Sequence, residues 1–191
     1  MPLPQHNKLT YDEFLEIDKK SDKQLEFIEG VIYDMSSPST IHQDIILNLS
    51  YPIQTYLKGK KCKLMVSPYD IIFKGEDEIN RVQPDLSIIC NKEGFTKNNY
   101  IGAPTLVIEV LSPSTTSKDY IQKMNLYMKN GVKEYWIVSP KNRDIHIFNF
   151  ESGQLKNQPI SFRENELLLS NVFEDLKINL KDVFENVENE N

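Results

Sequence analysis

Apolar positions along the chain switch between a period near four and a period of two, and the switches mark its elements. In "LTYDEFLEIDKK", Thr10 and Glu13 are spaced as a capping box ahead of Phe14, Leu15 and Ile17, which predicts a short helix. "QLEFIEGVIYDMS" then alternates around Gly30, with Leu25, Phe27, Val31 and Tyr33 apolar, and predicts a hairpin or a bent strand pair. A second helix is predicted from "SPSTIHQDIILNLSYPIQTYL", capped near Ser39 or Thr40, with Ile41, Ile45, Leu49 and Ile53 on one face. Pro52 requires a kink in it.

"KLMVSPYDIIF" and "PDLSIIC" read as two strands joined by the charged loop "KGEDEINRVQ", and "TLVIEVLS" reads as a third. "SKDYIQKMNLYMKNGVK" is a helix that ends at Gly131. "EYWIVSP" and "DIHIFNF" are two further strands around the turn "KNR". "FEDLKINL" alternates as an edge strand, "KDVFENV" closes with a short helix, and "ENEN" is a frayed tail. The order gives a single α/β (α+β) domain over residues 1–191, a central mixed β-sheet flanked by helices.

One residue breaks the pattern. Glu109 lies inside the apolar run Leu106, Val107, Ile108, Val110 and Leu111, which reads as a strand buried on both faces. A carboxylate there must neutralise, find a partner or hold a metal, because an unpaired buried charge costs several kcal/mol. Asp85 opens the preceding strand, directly after Pro84, and neighbouring strands lie about 5 Å apart, so the two acids can share one divalent cation when their faces agree. Such oxygen ligands suit Mg²⁺ or Mn²⁺, which bind through one or two carboxylates and keep several waters. On the following helix Asp119, Lys123 and Tyr127 stand at i, i+4 and i+8; the stripe is either a plain salt bridge beside a tyrosine or a lysine placed against a metal-bound water.

Composition narrows the function. With 39% hydrophobic and 26% charged residues the chain is a soluble globular type, and neither a membrane span nor an apolar leader is present, which places it in the cytoplasm. Two cysteines, Cys62 and Cys90, read as reduced and structural. A net charge of -6 argues against a protein that coats nucleic acid, yet leaves room for an enzyme contacting a few phosphates. Lys58, Lys60, Lys61 and Lys63 form one local basic patch, read as a solvated loop or a phosphate contact.

"QPDLSII", "GAPTLVIEVLSPST", "DYIQKMNLYMKNGVKEYWIVSP" and "LEFIEGVIYDMSSPSTIHQDII", in their order along the chain, resemble the Uma-type family of restriction-endonuclease-like proteins, in the PD-(D/E)xK nuclease superfamily. The resemblance covers a core of about residues 9–184. It implies a restriction-endonuclease-like sheet with Asp85 and Glu109 as metal ligands and a metal-dependent endonuclease cutting phosphodiester bonds in nucleic acid, DNA by default, as a homodimer. In the plain motif a lysine follows the acid by two residues, but here that residue is Leu111. The resemblance moves the role to Lys123 and matches Tyr127, Glu29 and His42 to family positions. The alternative is a catalytically inactive nuclease-like fold that serves as a binding or assembly module.

Overall fold

The computed structural model describes residues 8–76, 78–112, 116–185 and 187; the tail "ENEN" lies outside them. Helix α1 (Tyr11–Asp18) starts at the expected capping box, with Thr10 and Glu13 each bonding the other's backbone N–H. Strands β1 (Leu25–Ile28) and β2 (Val31–Asp34) form a hairpin whose turn residues, Glu29 and Gly30, have φ of 51° and 82°. Two positive φ values in succession match the right-handed strand twist. Helix α2 (Thr40–Leu57) is capped by Ser39, and buries Ile45, Ile46, Leu49, Ile53 and Leu57; Pro52 lies within it and offers no N–H to the Asn48 carbonyl.

The strands that follow divide between two sheets. β3 (Lys63–Val66) and β4 (Asp70–Lys74) are separated at Ser67 and Pro68, and β5 (Ile79–Val82) and β6 (Leu86–Ile89) at Gln83 and Pro84. The chain segment expected to be one strand, "KLMVSPYDIIF", is therefore two, and the expected loop "KGEDEINRVQ" contains β5. Proline has no donor for a ladder, so each proline falls where the chain leaves one sheet for the other. With β7 (Asn99–Ile101), the first sheet has the order β2-β1-β5-β4-β7.

The larger sheet is built from β8 (Leu106–Val110), β9 (Glu134–Ser139), β10 (Asp144–Glu151) and β11 (Gln154–Leu155), in the order β11-β10-β9-β8-β6-β3, with β12 (Ile160–Arg163) also on β10. β8 pairs parallel to β9 and antiparallel to β6, so the sheet is mixed. A parallel pair needs a crossover, and the chain between β8 and β9 supplies it as a π-helical segment, Lys118–Lys123, continuing into α3 (Met124–Lys129). β13 (Leu167–Leu169) and β14 (Lys177–Asn179) pair with each other ahead of α4 (Leu180–Val183), so the expected edge strand "FEDLKINL" belongs to a small ribbon.

Side chains on one face of the larger sheet, including Leu106, Ile108, Val110, Trp136 and Ile147, cluster with α2 and α4. Those on the other, including Val107, Tyr135 and Ile137, cluster with α3 and the first sheet. Each fully buried Leu, Ile or Val contributes about 1.5–3 kcal/mol, so both layers are held by burial. Among the described residues no helix is long and apolar enough to cross a membrane.

The cysteines correct an expectation. Cys62 and Cys90 form a disulfide, with their Cα atoms 4.0 Å apart. They flank β3 and β6, and the register Lys63↔Ile89 continued by one residue sets them opposite each other. A separation of 28 residues conceals that neighbourhood, which arises only once the strands pair.

Candidate active site

β8 is buried on both faces, and successive side chains point to opposite ones. Leu106, Ile108 and Val110 therefore share the face that meets α2, while Val107 and Glu109 share the other. The last registered pair between β6 and β8 is Leu86↔Ile108, so Asp85 stands one residue further, opposite Glu109. Opposed residues of an antiparallel pair project to the same face, which is the condition for two acids to meet. Asp85 Oδ2 accepts a hydrogen bond from the Val110 backbone N–H at 2.7 Å and faces His42 Nε2 at 3.2 Å. His42 lies in the first turn of α2; burial lowers its pKa, but the hydrogen bond and charge of Asp85 outweigh burial and hold it above the ordinary value.

The crossover helix brings the cations. Lys123 Nζ donates to Glu109 Oε1 at 2.9 Å, contacts Glu26 Oε1 at 2.8 Å and lies 3.8 Å from Asp119 Oδ1. Tyr127 donates its hydroxyl to the same Glu109 oxygen at 2.6 Å. Lys118 Nζ donates to the other oxygen of Glu26 at 2.7 Å. Residues five apart on an α-helix diverge, but in a π-helix the backbone bond itself spans five residues, as from the Met124 N–H to the Asp119 carbonyl. The π turn is thus what lets Lys118 and Lys123 grip one carboxylate from the same side.

Glu26 was not among the residues the sequence singled out. It is fully buried in β1, and besides the two lysines it accepts from the Gln83 N–H at 3.1 Å, two residues ahead of Asp85. A closed circuit results: Glu26 holds the strand end that carries Asp85, Asp85 holds the peptide next to Glu109, and Glu109 returns to Glu26 through Lys123. The signal was present, since "LEFI" is an apolar run with one acid in it, as is "LVIEV". The neighbouring candidate, Glu29, is not brought to this cluster. It occupies the β1–β2 turn, its side chain is 46% exposed, and its partner is the exposed Lys129 at 3.4 Å.

Four acids, Glu26, Asp85, Glu109 and Asp119, are gathered here against Lys118, Lys123 and His42. Burial pushes Glu109 up to about 8, with Lys123 opposing and the nearby Asp85, Asp119 and Glu26 adding to the rise. Glu26 is penalised by burial too, yet Lys123 and Lys118 together bring its carboxyl below the ordinary range. Lys123 is lifted well above the usual lysine value, because the three carboxylates around it overcome its own burial. Among the described residues no three His, Cys, Asp or Glu side chains converge as an all-protein metal cage. Two opposed carboxylates fit Mg²⁺ or Mn²⁺ nonetheless, because these ions take few protein oxygens and complete their shells with water and substrate. Glu109 uses Oε1 for Lys123 and Tyr127, and Oε2 accepts no hydrogen bond among the described residues.

The model of the Uma2 family, described as "Putative restriction endonuclease", matches residues 11–181. The chain belongs to the Uma2 family. An uncharacterised protein of Synechocystis is 31% identical over 143 residues, 74% of each chain, and a second is 29% identical over 121 residues, 62% of this chain and 67% of that one. The fold is shared with a crystal structure described as a putative nuclease belonging to DUF820 from Anabaena variabilis, at a TM-score of 0.75 and 21% identity, covering 94% of this chain and 99% of that one. Within this Uma2 chain, the carboxylate circuit joins elements from Glu26 to Tyr127 and lies inside the matched span.

Proposed function

We propose that this chain is a metal-dependent endonuclease that hydrolyses phosphodiester bonds in DNA. The observation that carries the reading is the pair Asp85 and Glu109 on opposed strand positions, with the buried Lys123 ammonium 2.9 Å from Glu109. Asp85 and Glu109 would hold Mg²⁺ or Mn²⁺, which when bound polarises a phosphoryl oxygen and lowers the pKa of a coordinated water. Lys123 stays charged at any working pH and presents its ammonium where negative charge develops on the phosphoryl group. Tyr127 fixes the Glu109 carboxylate in orientation through Oε1. His42, bonded to Asp85, whose hydrogen bond and charge raise its pKa, would be the group placed to pass a proton to the leaving oxygen. A duplex presents two strands, so a homodimer belongs to the same proposal.

The competing reading, a nuclease-like binding module without turnover, draws on Leu111 standing where the plain motif has its lysine. Nicking of supercoiled plasmid in Mg²⁺ or Mn²⁺ separates the two. The nuclease reading expects cleavage by the wild type, none in EDTA, and none from Asp85→Asn. Absence of cleavage by the wild type in either metal would favour the module.

A further inference from the structure

Beside the carboxylate circuit runs an open groove of about 720 Å³, bounded by the end of β2 and the segment after it on one wall and by the start of the π-helical crossover on the other. Lys118 belongs to both places: its Nζ holds Glu26 at 2.7 Å, and its side chain, 14% exposed, lines the groove. A lysine ammonium has three donors, so one can stay on Glu26 while the others face an incoming anion. Across from it stand the Tyr33 ring, 5.4 Å from the ammonium, and the hydroxyl side chains of Ser36 and Ser37, with Ser117 on the same wall as Lys118. The acid of the groove, Asp34, is paired with Lys23, which also lines it, in a solvent-exposed salt bridge. A fixed cation held over an aromatic ring and neutral hydroxyl donors are what the backbone of a nucleic-acid strand requires: positive charge and hydrogen-bond donors for its phosphates.

We infer that this groove receives the sugar-phosphate backbone of one nucleic-acid strand, with Lys118 contacting a phosphate next to the one at the carboxylate pair. The inference rests on the nuclease reading for its substrate class and adds the binding track. Lys118 has two duties in it: it shields Glu26 from solvent, and it couples occupancy of the groove to the circuit that holds Lys123.

The test measures binding apart from cleavage. Fluorescence anisotropy of a labelled mixed-sequence oligonucleotide, single-stranded and as a duplex, is followed with the full chain in Ca²⁺ across a salt series, with a gel to confirm that the probe stays intact. Lys118→Gln is expected to weaken binding roughly tenfold and to reduce the slope of log affinity against log salt by about 0.7 to 0.9, the signature of one lost phosphate contact. Ser37→Asp adds a charge to the exposed wall without touching the carboxylates, and is expected to weaken binding roughly threefold with an unchanged melting temperature. It therefore keeps the test decisive if Lys118→Gln fails to fold. Unchanged affinity and slope in both variants would overturn the groove while leaving plasmid nicking by the wild type intact. Loss of binding in the variants from a wild type that never nicks plasmid would support the groove and sink the nuclease reading. A wild type that binds neither oligonucleotide would overturn the groove.

Discussion

On one side of β8, Leu106, Ile108 and Val110 are 0–2% exposed and cluster with Ile45, Leu49 and Trp136. On the other, one residue out of step, Glu109 is only 4% exposed and is surrounded by lysine, tyrosine and further acids. The degree of burial is nearly the same; its energetic meaning is opposite. Each aliphatic contributes stability on entering the core, whereas each charge loses hydration and is tolerated only through partners. A strand can serve as scaffold and as reactive surface together because its alternation delivers the two sets of side chains to separate layers.

The contrast can be tested from both sides. Glu109→Gln should abolish metal-dependent nicking while the metal-free protein melts no lower than wild type, since burial already disfavours the ionised carboxyl and the amide keeps its shape. Lys123→Ala is expected to lower single-turnover cleavage by roughly 10²–10³-fold and, by stranding Glu26 and Glu109, to cost about 3–5 kcal/mol in urea unfolding. Wild-type stability in that variant would mean that the circuit is not what offsets these charges. Ile108→Ala reverses the pattern of Glu109→Gln, with about 2–5 kcal/mol of stability lost and turnover per folded molecule retained.

Smaller effects sharpen the same line. An ordinary glutamate titrates at 4.5 and folded Glu109 at about 8, so the folded state binds this proton more tightly. The stability this group contributes is complete below the unfolded value and is lost as pH rises through the folded one. In EDTA, the melting temperature of wild type relative to Glu109→Gln should therefore fall between about pH 5 and 8; a flat difference would remove the argument. Glu29→Gln should change unfolding by less than about 0.5 kcal/mol and leave nicking unaltered, because its exposed pair with Lys129 is screened by water.

Local signals in the sequence were readable where the physics is local. The Thr10 and Glu13 box, the Ser39 cap, the helix before Gly131 and the misplaced Glu109 all follow from neighbours within a few residues. Two sheets in place of one could not be read that way, because the division depends on where Pro68 and Pro84 release the chain and on pairings such as Phe27↔Arg81. The Cys62–Cys90 bridge is equally a product of register. Glu26 differs, since the reasoning that found Glu109 applies to "LEFI" unchanged: an acid inside an apolar run needs partners, and those partners come from the crossover helix. The π turn has no pattern of its own in "KDYIQK" and is visible only through the two lysines it aligns.

The bridge between Cys62 and Cys90 makes part of the polypeptide a covalent ring spanning 28 residues in sequence, and that ring passes through β3, β4, β5 and β6, so through both sheets. In the chain-entropy account, closing a loop of this length restrains the unfolded chain by roughly 3 to 4 kcal/mol. Asp85 lies within the ring, while Glu26 and Glu109 lie outside it on either side. A protease that nicks the β4–β5 connection after Gly75 would open the ring without parting the chain, leaving one band on a gel until a reductant separates the halves.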